Sequence, residues 1–197
     1  KKIIFSSSSE VYGDQDIIPT NESADLKPKS NYGITKLVGE EYVKAYSKFY
    51  KFDFNIIRFF SLYGGTQRPD FVIPIFKNII KNNKTINIYG KGNQIRSYCY
   101  IDDAIDGVIK VLQKGKKKHT YNIGNNNEPI SVEELANKMI NISKKNIKIK
   151  KIPFEKSDRS KNREIYKRQP DISKLKKDTN FLPKINLDKG IKKLFQK

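Results

Sequence analysis

Ile3-Ile4-Phe5-Ser6-Ser7-Ser8-Ser9-Glu10-Val11-Tyr12-Gly13, followed by Pro28-Lys29-Ser30-Asn31-Tyr32-Gly33-Ile34-Thr35-Lys36, is the stretch that decides the fold. An apolar run ends in four serines, the pattern of a buried strand that delivers hydroxyls at its tip. Further along, Ser30 is placed to cap a helix, and Tyr32 and Lys36 stand four apart on it and share one face. A serine, a phenol and an ammonium that can converge form a set suited to moving a proton off an alcohol.

Outward from this stretch, apolar runs predict further strands at 53–60 (D-F-N-I-I-R-F-F), 86–89, 96–101, 119–123 and 147–152. Helices are expected from Ser30 through Phe49, over 72–82 with Pro74 in the first turn, and from a cap at Asp102 to Lys114. Ser131-x-x-Glu134 reads as a capping box opening another helix, and two short helices close the chain. Residues 10–29, 61–70 and 153–170 read as loops. Strands that alternate with helices argue for an α/β fold with parallel pairing.

Composition narrows the classes. The chain has 197 residues, 37% of them apolar, enough for a real core. No apolar run reaches the length of a membrane span. One cysteine, Cys99, and one histidine, His119, exclude an intrachain disulfide and a Cys/His zinc site, so no metal is expected and a reducing cytoplasm is the natural compartment. The formal charge of +19 would point to nucleic acid, but only six of the 40 basic residues are arginine. Lysine-rich composition explains the excess better than a phosphate-binding surface, and a nucleic-acid partner is not expected.

Ser8 together with Tyr32-x-x-x-Lys36 resembles the catalytic set of the extended short-chain dehydrogenase/reductase family. In particular it is similar to the NAD-dependent nucleotide-sugar epimerases, dehydratases and decarboxylases. The later landmarks follow in order. Arg58-Phe59-Phe60-Ser61-Leu62-Tyr63-Gly64 resembles the family's R-x-x-N-V-Y-G loop. Ile88-Tyr89-Gly90-x-Gly92-x-Gln94-x-Arg96, then Tyr100-Ile101-Asp102-Asp103, resembles its Y-G-x-G-x-Q-x-R and Y-V-D-D segment. Tyr121-Asn122-Ile123-Gly124 and Pro170-Asp171-Ile172-Ser173-Lys174 match its last signatures.

The resemblance implies an α/β fold: the C-terminal part of a Rossmann-type doubly wound parallel sheet plus a small α/β substrate-binding domain. Residues 1–66 would belong to the first and 67–197 mainly to the second, with about 97–123 returning to the sheet. A dinucleotide fold needs a glycine-rich turn after its first strand, and no such motif follows an apolar strand here. The chain is therefore expected to be a C-terminal piece that binds NAD poorly and is inactive alone. The rival expectation is a basic binding module without catalysis.

By the same resemblance, Tyr32 is the general acid/base and Lys36 the positive charge that makes a phenolate accessible. A free phenol's pKa of ~10 is otherwise too high for a base at neutral pH. Ser8 would hold the reacting oxygen, Ser6 and Ser7 would lie near the cofactor, Lys36 would reach its ribose, and Phe59 its nicotinamide. For the nucleotide-sugar substrate, Arg96 and Arg163 are the expected phosphate contacts, Ser61 stands where the family has asparagine, and Ile88 would line the base pocket. Dehydratases pair Asp with Glu after the serine; here the positions are Ser9 and Glu10, which disfavours that reaction. A UDP-sugar 4-epimerase working through a 4-keto intermediate is the first expectation. A UDP-glucuronate decarboxylase, in which a Glu and an Arg assist, is the second, with Glu10 as the catalytic glutamate and Arg96-Ser97-Tyr98 carrying the arginine, although Tyr32-Gly33-Ile34-Thr35-Lys36 departs from its usual Y-D-E-G-K. The aromatic face of the Tyr32 helix suggests a homodimer.

Overall fold

A computed structural model describes residues 2–156 and 164–196. β1 (Lys2–Ser8) leads through a short 3-10 turn, Ser9–Val11, and a long loop into α1 (Asn31–Tyr50). β2 (Asp53–Phe59) follows and pairs in parallel with β1, Ser7 opposite Arg58 and Ser8 opposite Phe59. β3 (Leu62–Tyr63), α2 (Val72–Lys81), β4 (Ile86–Tyr89), β5 (Ile95–Ser97), β6 (Cys99–Tyr100) and α3 (Ile101–Lys114) lie between β2 and β7 (His119–Ile123). β7 pairs in parallel with β2, giving the sheet order β1-β2-β7.

Strand alternation sorts the faces of this sheet. Ser7 and Arg58 point toward α1, where both bond Glu40. The adjacent residue Ile57 packs instead with Tyr121, Ile123 and residues Ala104 and Val111 of α3. α1 and α3 thus cover opposite faces, and β2 is buried along most of its length, as a strand enclosed on both sides should be.

The remaining elements are β8 (Pro129–Ser131), α4 (Val132–Ser143), β9 (Ile149–Ile152), β10 (Lys167–Arg168), α5 (Ser173–Thr179) and α6 (Leu187–Phe195). β4 pairs with β9, β3 with β6, and β5 with both β10 and β8. Ile73, Phe76 and Ile80 of α2 share a core with Ile86 and Ile88 of β4, Leu135 and Met139 of α4, and Ile191 of α6.

Local chemistry explains several boundaries. Ser30 Oγ accepts from Gly33 N at 3.0 Å and starts α1. Ser131 and Glu134 form the reciprocal capping box that starts α4. Two expectations need correction. The strand foreseen at 96–101 is split at Tyr98, because its first half joins β8 and β10 while its second half joins β3. Asp102 does not cap α3: Tyr100 occupies that place, and Asp102 and Asp103 lie in the first turn, where negative charge suits the helix dipole. Short strands β3 and β10 fall inside stretches read as loop, and β8 was not foreseen.

Candidate active site

The parallel register brings the tips of β1 and β2 together, Ser8 beside Phe59. Ser8 is 9% exposed. Its Oγ accepts from the backbone N–H of Glu10 at 3.2 Å. A hydroxyl that accepts within the protein keeps its own proton to donate elsewhere, which is the polarity needed to hold a developing alkoxide.

Tyr32 and Lys36 present themselves on one face of α1, as their spacing requires. Lys36 Nζ donates to the carbonyl of Ser6 at 2.8 Å and lies 5.6 Å from the centroid of the Tyr32 ring. It also lies 5.7 Å from the Phe5 ring, so the ammonium sits between α1 and β1. Two glycines allow this close docking. A Cβ on Gly33 would stand 2.7 Å from the carbonyl oxygen of Glu10, and one on Gly39 would stand 2.3 Å from Phe5. Ser6 therefore contributes its backbone to the site. The hydroxyl of Ser7 donates to Glu40 Oε1 at 2.5 Å, in the contact between β1 and α1. Phe59, at the end of β2, is partly buried against the core that contains Ile57 and Cys99.

Glu10 is held on two sides. Ser30 Oγ donates to its Oε2 at 2.9 Å, and the Arg168 guanidinium pairs with its Oε1. This ties the turn after β1 to the start of α1 and to β10. Arg96 stands opposite Arg168 across the parallel β5–β10 ladder. Burial, followed by the neighbouring charge of Arg168, pulls the Arg96 guanidinium down to about 10. Glu164 opposes that trend through an ion pair at 3.2 Å.

Arg96 lines a cavity of about 540 Å³ together with Ile88, Tyr89, Gln94, Phe154 and Glu164. That volume suits a small organic ligand. Ile88 is 2% exposed and contributes apolar wall. Ser61 lies between β2 and β3 with φ at 35°, in the left-handed region, and its carbonyl accepts from Cys99 N. Arg163 lies outside the described residues. Among the described residues there is no group of three metal-ligating side chains, and no helix is long and apolar enough to cross a membrane.

Sequence reasoning missed the residues that hold these groups in place. Glu40 is fully buried and accepts from Arg58 Nε at 2.9 Å and Nη2 at 2.6 Å. Arg58 Nη1 donates to the Tyr12 hydroxyl, which donates to Asn122 Oδ1 on β7. Burial disfavours the Arg58 charge more than any single partner favours it, but the hydrogen bonds and charges of Glu40 and Tyr12 together outweigh it and the guanidinium stays firmly protonated. For the Tyr12 phenol, burial prevails over Arg58 and pushes it up to about 12. Arg168 was also missed. An available signal for Glu40 was its place one turn after Lys36 on the same face; for Arg168 there was none, since it lies in a stretch read as loop.

The description "NAD dependent epimerase/dehydratase family" matches residues 1–124. A putative UDP-glucose 4-epimerase of Methanocaldococcus jannaschii is 34% identical over 98% of this chain and 61% of its own length. A UDP-N-acetyl-alpha-D-glucosaminuronate decarboxylase of Bacillus cytotoxicus is 31% identical over 100% of this chain and 63% of its own. The crystal structure of UDP-glucuronic acid 4-epimerase from Bacillus cereus, in complex with UDP-glucuronic acid and NAD, superposes with a TM-score of 0.89 at 30% identity, over 99% of this chain and 60% of that one. The chain thus spans only part of the length of the relatives it matches. With the family model over its first 124 residues and these relatives along nearly all of it, the chain belongs to the NAD-dependent epimerase/dehydratase family of enzymes.

Proposed function

We propose that the whole protein interconverts the C4 epimers of a UDP-sugar. One observation carries this reading over dehydration. Glu10, the carboxylate next to the catalytic serine, is engaged by Arg168 and Ser30, and Ser9 stands where a dehydratase needs its aspartic acid. Epimerisation needs no second acid/base pair, because the 4-keto sugar only has to turn over and be reduced from its other face.

The residues present fit the nicotinamide end of NAD. Dinucleotides lie at the carboxyl ends of parallel strands, where Ser8 and Phe59 stand. Lys36 Nζ donates to one carbonyl, and an ammonium has three donors, so it retains capacity for ribose hydroxyls. When bound, NAD takes up and returns the C4 hydride. In the oxidative direction the Tyr32 phenolate oxygen accepts the proton of the C4 hydroxyl, and Ser8 Oγ donates a hydrogen bond to that same oxygen. In the reductive direction Tyr32 returns the proton. Lys36 supplies the positive charge beside the phenol. Arg96 would meet the diphosphate in the cavity, exchanging its Glu164 contact for charge-assisted bonds to phosphate oxygens.

The substrate domain would comprise most of residues 67–197. A second copy would dock on α1. Tyr42, Tyr46, Phe49 and Tyr50 are all more than half exposed there, and the Tyr46 and Tyr50 rings stack at 5.7 Å. A second reading is decarboxylation of a UDP-uronate, favoured by the ion pair of Glu10 with Arg168 beside the catalytic turn.

Incubating the full-length protein with NAD and UDP-glucose or UDP-glucuronate, and identifying products by NMR, separates the two. C4 epimers without loss of carbon support the first reading. Release of CO₂ and a pentose product support the second. Turnover unchanged in Tyr32→Phe would remove the catalytic assignment.

A further inference from the structure

Three consecutive residues at the tip of β1 have three different uses. The Ser6 carbonyl accepts from Lys36, the Ser7 hydroxyl donates to Glu40, and the Ser8 hydroxyl remains able to donate. Lys36 and Glu40 are one helical turn apart, so α1 grips two adjacent residues of β1 at two points. Gly33 faces the Glu10 carbonyl and Gly39 the Phe5 ring, and neither carries a Cβ that would hold the helix away. One grip would leave the helix free to slide or roll on the strand. Two grips at different heights fix both motions, and with them the placement of Tyr32 against Ser8.

We propose that Glu40, acting through Ser7, is a positioning residue of the catalytic set. It touches no reacting atom. Its carboxylate is fully buried, and Arg58 neutralises it through two hydrogen bonds. Arg58 in turn is braced by Tyr12 and Asn122, so the grip on Ser7 is referred to β2, β7 and the turn after β1. Catalytic geometry must hold to about half an ångström, and a misplacement of ~1 Å costs on the order of a hundredfold in rate. Loss of the Ser7 bond should therefore cost chemistry far more than binding. This inference rests on the reading of Tyr32 and Ser8 given above.

Glu40→Ala would strand the Arg58 charge in the core and unfold the protein, so the test is made at Ser7, where deletion of one hydroxyl leaves the ion pair intact. In the full-length protein, Ser7→Ala is expected to lower kcat by about tenfold, with KM for the UDP-sugar within about twofold of the original, and Ser7→Thr is expected to restore kcat. Backbone hydrogen exchange across Gly33–Lys36 should speed up in Ser7→Ala and return in Ser7→Thr. Unchanged kcat in Ser7→Ala, or a loss confined to KM, overturns the proposal. Should the unaltered protein turn over none of the UDP-sugars, the reaction assigned above fails. Hydrogen exchange then decides the present inference alone, and unaltered exchange in Ser7→Ala refutes it.

Discussion

Gly33→Ala sets two effects of known size against each other. Gly33 follows Tyr32 in the first turn of α1, where alanine is intrinsically better than glycine by about 1 kcal/mol. Against that gain, the new Cβ would lie 2.7 Å from the Glu10 carbonyl oxygen and 3.0 Å from Pro28 Cβ. The first neighbour is backbone and cannot swing aside. To reach the 3.4 Å at which ordinary contact begins, the helix must retreat by about 0.7 Å. Overpacking of this kind costs about 1–3 kcal/mol, so the net loss of stability is roughly 0–2 kcal/mol. In a protein of this size that lowers Tm by at most about 8 °C. On the proposed reading, in which Tyr32 and Ser8 meet one substrate oxygen, the same retreat draws Tyr32 away from that point. At ~1 Å for a hundredfold, kcat should fall by a factor on the order of ten to a hundred. Thermal melts and steady-state epimerisation by the full-length variant read the two quantities separately. A variant with kcat within twofold of the original would refute the claim that the docking distance of α1 governs the chemistry.

Glu22 is half-buried, accepts from Asn122 N, and has its carboxyl pushed above the ordinary glutamate value, chiefly by partial burial. A raised carboxyl favours the fold while protonated and loses that contribution as pH rises through its folded value. Glu22→Gln should therefore raise Tm at neutral pH and leave it unchanged well below the usual glutamate range, as melts across pH will show. Cys99 is buried and its thiol is pushed up to about 12 by that burial, so the folded protein at pH 8 should resist a thiol-reactive dye and label only after denaturant is added. Ser61 sits in the left-handed backbone region that asparagine tolerates better, so Ser61→Asn should stabilise by about 1 kcal/mol or less, read as a rise in denaturation midpoint.

The elements that could be read from sequence are those whose own residues decide them. The apolar run into serines gave β1, Ser30 and Ser131 announced their helices by capping chemistry, and Tyr32 with Lys36 needed only helical spacing to share a face. Tyr98 marks where that reasoning stops. Its neighbours look like one strand, and only the competing partners β3 and β8 divide it. β10 is two residues long and carries no periodicity, so Arg168 could not be placed near Glu10. Glu40 reads as one more surface carboxylate on a helix. It is buried because Arg58 of β2, which the register sets beside Ser7, reaches it at the face that α1 covers.

Thr20 forms a parallel bridge with Pro170, giving its N–H to Gln169 and accepting from Asp171 N. Tyr166 N donates to Asp14 across 152 residues of chain. The corner that carries Glu10 is thus closed by polypeptide made long after it. During synthesis β1, α1 and β2 can dock as soon as they emerge, because their contacts are close in sequence. The loop from Asp14 to Thr20 must wait for residues 166–171. Long-range closures of this kind are slow, so the corner that carries Glu10 is completed only after residues 166–171 have been made. A nascent chain stalled before Tyr166 would hold its parallel sheet and lack its finished corner.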